Sequence, residues 1–119
     1  MNTVTTLAIV HTTDLPRMRA FVEAMGFVQT DAPDGRVYAS PFTPGSGLLL
    51  KEEAAMPYAN VGATGWVCLE FHVSREQILA ALNGLDAAGF ETGYMEHPRL
   101  DEGDVVDPHG RTWHFLHYY

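Results

Sequence analysis

The chain of 119 residues carries fifteen Asp and Glu against seven Lys and Arg, a formal net charge of −8. No apolar run approaches the roughly 18 residues of a membrane span, and the basic footprint that nucleic-acid binding needs is missing. We therefore expect one soluble domain that binds neither a membrane nor a nucleic acid. The single cysteine, Cys68, and the lack of a secretory signal in residues 1–17 favour a cytoplasmic location.

The first half of the chain predicts the order β-α-β-β-β. Residues 5–11 form a β-branched, apolar run of strand length. Asp14 is a suitable N-cap for a helix whose apolar residues recur at helical spacing as far as Met25, and Gly26 ends that helix. Three short strand candidates follow, at residues 27–30, 36–42 and 47–51.

The second half of the chain repeats this order. In residues 66–73 apolar side chains alternate with Cys68, Glu70 and His72, which predicts a strand with two unlike faces. Ser74 opens a capping box, and a second helix follows it. The remaining strand candidates are residues 90–96, 103–107 and 112–118.

Two copies of one module indicate a duplicated unit rather than a solenoid, which needs at least about three repeats. We predict a single α+β domain over residues 1–119, with modules at 1–51 and 66–119 and a linker at 52–65. Each module should form a curved antiparallel sheet with its helix packed on one face. The other face of each sheet is the expected place for function.

Several motifs resemble the vicinal oxygen chelate superfamily, which includes glyoxalase I, the extradiol dioxygenases and the bleomycin resistance proteins. The likeness covers almost the whole chain. Its carriers are Asp14-Leu15 and Gly26-Phe27, the segment 85–90 and, as the most specific, Asp107-Pro108-His109-Gly110. The resemblance implies a paired β-α-β-β-β fold, usually dimeric, with an open barrel-like groove formed by the two modules.

The resemblance also implies four metal-ligand positions, which fall here on Leu7, Leu49, Cys68 and His114. Leucine binds no metal, and such sites need three or four nitrogen, oxygen or sulfur donors. We therefore expect no metal cofactor and assign no catalytic residue.

One alternative keeps a metal in the second module. Glu70 and His72 share a predicted strand face with Cys68, so a relocated cluster of Glu70, His72 and His114 could bind zinc, nickel, manganese or iron. The chain would then be a glyoxalase- or dioxygenase-like lyase or oxidoreductase. The simpler interpretation is that strand alternation alone places these polar groups on one face.

Without a metal, the groove is expected to hold a ligand by burial and by ring contacts. The predicted ligand-binding residues are Leu7, Tyr38, Leu49, Tyr58, Trp66, Cys68, Glu70, His72, His114 and Tyr118. Trp113 and Phe115 alternate with His114 and are expected in the core. The acidic C-terminal third would attract cations. The expected function is a metal-free homodimer that binds an amphipathic or cationic small molecule, as the antibiotic-sequestering members of this superfamily do.

Overall fold

The computed structural model describes residues 4–56 and 67–119, with only the backbone described at residues 67 and 68. The chain divides into two compact units, Met1–Ala59 (unit 1) and Asn60–Tyr119 (unit 2). In the described residues, unit 1 contains β1 (Thr6–Thr12), α1 (Leu15–Met25), β2 (Val28–Gln29), β3 (Val37–Ala39) and β4 (Ser46–Glu52). Unit 2 contains β5 (Val67–His72), α2 (Arg75–Ala87), β6 (Thr92–His97), β7 (Leu100–Val106) and β8 (Thr112–Tyr118). Neither of these helices has the length and apolar character to cross a membrane.

Each unit has one four-stranded sheet, with the strand order β1-β4-β3-β2 in unit 1 and β5-β8-β7-β6 in unit 2. The pairs β1–β4 and β5–β8 are parallel, and the hairpin pairs are antiparallel. The prediction of purely antiparallel sheets was therefore wrong. The helix carries the chain back along the sheet and two hairpins then reverse it twice, so the last strand of each unit runs with the first. The α+β class and the repeated β-α-β-β-β order are confirmed.

Helix α1 begins and ends where its sequence predicts. The carboxylate of Asp14 accepts a hydrogen bond from the backbone N–H of Arg17 at 3.2 Å. Gly26 closes the helix with a φ of 112°, in the left-handed region that favours glycine. The buried side chains of α1 are Met18, Phe21, Val22 and Met25, so this stripe fixes which face of the first sheet is covered.

Helix α2 is fixed by a complete capping box and by a close approach to β7. The backbone N–H of Gln77 donates to Ser74 Oγ at 3.1 Å, and the backbone N–H of Ser74 donates to Gln77 Oε1 at 2.9 Å. A Cβ atom at Gly103 would lie 2.7 Å from Ile78 Cγ2, so the helix needs a glycine beneath it. Gly103 therefore marks the covered face of the second sheet, and its strand neighbours mark the opposite face.

Strand β7 begins three residues earlier than predicted. His97 pairs with Leu100 across a two-residue turn, so the acidic residues Asp101 and Glu102 lie within the strand. Carboxylates are unfavourable in strands unless they find partners or water. Asp101 is buried and accepts a hydrogen bond from the Tyr119 hydroxyl, whereas Glu102 is part of the uncovered face.

Candidate binding site

The face of the first sheet that is turned away from α1 is apolar up to its last row, where His11 and Lys51 pair. We call it the first open face and define it by Leu7, Ile9, Val28, Val37 and Leu49. Ile9, Leu49 and Val37 form one cross-strand row. Leu7, Ile9 and Val28 are exposed, and Ile9 has 57 % of its surface accessible. The predicted apolar positions Leu7 and Leu49 thus share one face, and their role as ligand contacts stays a prediction.

Tyr38 lies on the other side of this sheet, against α1. Its side chain is fully buried, and its hydroxyl donates to Glu23 Oε2 at 2.6 Å. Arg19 Nη1 lies 3.3 Å from the same hydroxyl and donates to Gly35 O at 2.7 Å. Burial first, and the bond to Glu23 second, raise the pKa of Tyr38. The predicted orientation of Tyr38 toward a groove was wrong, because its hydroxyl is satisfied by α1.

The corresponding face of unit 2 is polar and negatively charged. We call it the second open face and define it by the following residues: Glu70, His72, Met95, Glu102, Asp104, His114 and Tyr118. Glu70, His114 and Asp104 are partners across β5, β8 and β7. In the next row, Leu116 separates His72 from Glu102, and Glu102 pairs with Met95. The predicted site residues of unit 2 that the structure describes therefore lie side by side.

Most polar groups of the second open face are not engaged with other described side chains. Within residues 4–56 and 67–119, the side chains of Glu102, Asp104 and His114 make no hydrogen bond or ion pair. Each is partly exposed. Folded proteins pair most polar groups that they bury. Groups left unpaired on one half-exposed face are available to bind a ligand.

Glu70 and His72 form the one side-chain hydrogen bond of this face among the described residues. His72 Nε2 lies 2.9 Å from Glu70 Oε2. The Tyr118 ring meets the His72 ring edge to face, with centroids 5.4 Å apart. The side chains of His72 and Glu70 remain 60 % and 45 % exposed. This arrangement orients His72 and leaves it accessible.

The alternative metal cluster gains no support from the described residues. Among them, no three His, Cys, Asp or Glu side chains are arranged to hold a metal ion, although Glu70 and His72 are in contact. The side chain of Cys68 and the whole of Tyr58 and Trp66 lie outside the described residues. Their predicted roles as ligand contacts stay predictions.

The most specific sequence motif has a structural role on the covered side of unit 2. Asp107 Oδ1 accepts the backbone N–H groups of His109 at 2.8 Å and Arg111 at 3.0 Å. Its Oδ2 accepts Arg111 Nε at 2.6 Å and Trp113 Nε1 at 2.9 Å. The predicted burial of Trp113 and Phe115 is confirmed. The two side-chain hydrogen bonds were not predicted, although the four-residue spacing of Asp107 and Arg111 was an available signal.

A cavity of about 260 Å³ lies between α2 and the edge strand β6. Its lining residues are Leu79, Leu82, Asn83, Asp86, Thr92, Gly93 and Tyr94. This lining has a single carboxylate and no histidine. It therefore offers fewer charged groups than the second open face.

Comparison with solved structures identifies the fold. A glyoxalase/dioxygenase from Nostoc punctiforme is similar with a TM-score of 0.72 and 16 % identity, over 95 % of this chain and 89 % of that one. The antibiotic-binding protein TnmS3 from a Streptomyces species is similar with a TM-score of 0.65 and 20 % identity, over 100 % and 98 %. The chain has the glyoxalase/bleomycin resistance fold.

A lactoylglutathione lyase from Agrobacterium tumefaciens is also similar, with a TM-score of 0.64 and 17 % identity over 96 % of this chain and 92 % of that one. No protein-family model and no curated protein sequence matches the chain. The predicted resemblance is thus confirmed at the level of the fold. The same fold is found in an antibiotic-binding protein and in a lyase, so the reaction or ligand must be argued from this chain's own residues.

Proposed function

We propose that the protein binds a small, planar organic cation on the second open face, without a metal. The observation that carries this proposal is the set of carboxylates on that face that no described Lys or Arg side chain contacts. Glu102 and Asp104 are unpaired among the described residues, and Glu70 contacts only the partly exposed His72. Such a face raises the local concentration of positively charged molecules.

The distribution of charge over the sequence supports a cationic ligand. Unit 2 has nine Asp and Glu but only three Lys and Arg, a net charge of −6, whereas unit 1 has six against four, a net charge of −2. Of the arginines in unit 2, Arg111 is buried with Asp107, and Arg75 lies 3.5 Å from Glu96. The negative charge of the chain is therefore concentrated in the unit that carries the site.

Exposed side chains on the same face suit a flat, amphipathic ligand. Tyr118 and Met95 are both more than half exposed. Aromatic faces attract cations and stack on flat rings, and methionine adapts to ring edges. A similar structure, TnmS3, is an antibiotic-binding protein. Ligand binding rather than metal chemistry is the function that these residues support best.

The test uses N-methylacridinium and, at pH 8, its uncharged analogue acridine. We expect saturable binding of the cation in equilibrium dialysis, and weaker binding of acridine. Each neutralised carboxylate should weaken cation binding a few-fold, because exposed charge pairs contribute roughly 0.2 to 1 kcal/mol. The variants are Glu102→Gln and Asp104→Asn.

The matched control is Glu76→Gln, which removes a carboxylate from the first turn of α2. It should leave the affinity of the site unchanged except for a small long-range effect. Equal binding of cation and acridine would contradict the proposal. Binding that disappears with a chelator and returns with zinc, nickel, manganese or ferrous iron would favour the metal-dependent alternative.

We also propose that the protein is a homodimer, in which a second copy covers exposed apolar side chains. The first open face exposes Leu7, Ile9 and Val28 together, and clustered apolar surface is typical of interaction sites. Sedimentation equilibrium should give twice the monomer mass of 13.1 kDa. Ile9→Glu should shift the protein toward monomer, and a monomeric wild type would contradict this part. A cytoplasmic location remains a prediction.

A further inference from the structure

The hydrogen bond between Glu70 and His72 fixes which nitrogen of His72 is reactive. An ionised carboxylate only accepts hydrogen bonds, so Nε2 must carry the hydrogen that Glu70 Oε2 accepts at 2.9 Å. In the neutral ring the lone pair then lies on Nδ1. No described side chain bonds to Nδ1, and His72 is 60 % exposed. The ring therefore presents a free base to the second open face.

Two neighbours hold this base in place. Glu70 stands two residues before His72 on β5 and shares its face. Tyr118, on the neighbouring strand β8, meets the His72 ring at an interplanar angle of 62°. A base oriented by a carboxylate and presented beside a binding surface has the arrangement of a general base with its positioning residue.

We propose that His72 is a general base that removes a proton from a carbon atom adjacent to the positive nitrogen of a bound organic cation. The inference rests on the proposed function, since the substrate is held by the same face. It extends that function from binding to proton transfer. Glu70 is the positioning residue, and no metal takes part.

The charges and atoms balance in this step. The Nδ1 lone pair takes the proton, the electron pair of the C–H bond stays on carbon, and the cation becomes a neutral ylide. The positive charge moves onto the His72 ring, where the hydrogen-bonded Glu70 carboxylate stabilises it. Return of a proton from Nδ1 to carbon regenerates the substrate. In D2O the returned particle is a deuteron, because the imidazolium exchanges its N–H with solvent.

The test follows deuterium uptake at the methylene carbon of N-phenacylpyridinium by proton NMR, with chelator present. This probe is a cation with a flat pyridinium ring, and its acidic CH2 group lies between a carbonyl and the pyridinium nitrogen. We expect exchange that saturates with probe concentration and exceeds the buffer background. His72→Ala should lower the maximal rate at least about tenfold, since general bases contribute roughly 10² to 10⁴. Equilibrium dialysis should show that this variant still binds the probe.

Two further variants separate a chemical role from a structural one. Glu70→Gln keeps an acceptor for Nε2 but removes the charge, so it should lower the maximal rate less than His72→Ala does. His11→Ala removes a histidine of unit 1 that also lies beside a carboxylate, with Nδ1 3.1 Å from Glu53 Oε1, and should leave the rate unchanged. Binding of the probe without His72-dependent exchange would overturn the inference and leave the proposed function standing. Failure of the probe to bind would overturn the inference, and failure of N-methylacridinium to bind as well would overturn the proposed function.

Discussion

Unit 1 and unit 2 bury equivalent positions and expose different chemistry. Met18 and Phe21 of α1 are fully buried, as are Ile78 and Leu85 of α2. On the uncovered sheet faces the likeness ends, because Ile9 and its neighbours are apolar whereas Glu70, Asp104 and His114 are polar or charged. The contrast shows that packing against the helix constrains one face of each sheet. The other face is free to acquire a function, and among the described residues the unpaired carboxylates of Glu102 and Asp104 lie on that face of unit 2.

The turn before the last strand of each unit gives the sharpest structural comparison. This turn begins at Ser40-Pro41 in unit 1 and at Asp107-Pro108 in unit 2. The side chains of Ser40 and Asp107 each accept a hydrogen bond from the backbone N–H two residues later, at 3.0 and 2.8 Å. Only Asp107 also holds a buried arginine and an indole. Asp107→Ala should therefore lower the free energy of unfolding by about 3 to 5 kcal/mol, because it removes the carboxylate that pairs with the buried Arg111 side chain.

The matched variant is Ser40→Ala. It should lower the free energy of unfolding by only about 1 kcal/mol, which is the net contribution of an ordinary hydrogen bond. Urea unfolding of both variants measures the difference. Equal losses would show that the buried Asp107–Arg111 pair does not distinguish the two turns.

A second comparison concerns the covered and open faces within unit 2. Gly103→Ala would place a Cβ 2.7 Å from Ile78 Cγ2 and 3.1 Å from Leu82 Cδ1. Overpacking of this kind costs about 1 to 3 kcal/mol. Gly93→Ala meets only the Asp104 carboxylate, at 2.8 Å, which can turn away into solvent. Thermal unfolding should show a clearly larger loss of stability for Gly103→Ala than for Gly93→Ala. The reverse order would contradict the assignment of the two faces.

A smaller effect is expected in the pH dependence of stability, through Tyr38 of unit 1. The pKa of Tyr38 is raised above its ordinary value of 10.0, mainly by burial and then by the bond to Glu23. The neutral phenol is thus favoured by folding, so its contribution is complete below about pH 10 and declines as the pH rises through the raised pKa. Tyr38→Phe should make the loss of stability above pH 10 shallower. An unchanged slope in urea unfolding would contradict the buried placement of Tyr38.

The smallest expected effect is on the second open face. Glu102→Gln and Asp104→Asn break no contact among the described residues, so each should change the free energy of unfolding by less than about 0.5 kcal/mol. A large loss of stability would show that these carboxylates stabilise the fold and are not available to a ligand. Circular dichroism during thermal unfolding is sufficient to detect it.

Although the predicted ligand contacts did not include Met95, Glu102 or Asp104, alternation in sequence placed Glu70, His72 and His114 on one face, because side chains on a strand alternate between its two faces. It failed for Tyr38, which stands on the three-residue strand β3 and whose hydroxyl is satisfied by Glu23, fifteen residues earlier. Local pattern also could not distinguish parallel from antiparallel pairing, since strand order depends on long-range contacts. The early start of β7 was missed because acidic residues are unusual in strands.

The most direct test of the account uses the methionine methyl groups as reporters. Met95 lies on the second open face, whereas Met18 and Met25 are buried residues of α1. The NMR signal of Met95 in protein with labelled methionine methyl groups is identified by its loss in Met95→Leu. Addition of N-methylacridinium should shift this signal, because of the ring current of the bound ligand. The signals of Met18 and Met25 should stay in place. A stationary Met95 signal under conditions in which dialysis shows binding would place the ligand elsewhere and contradict the central claim.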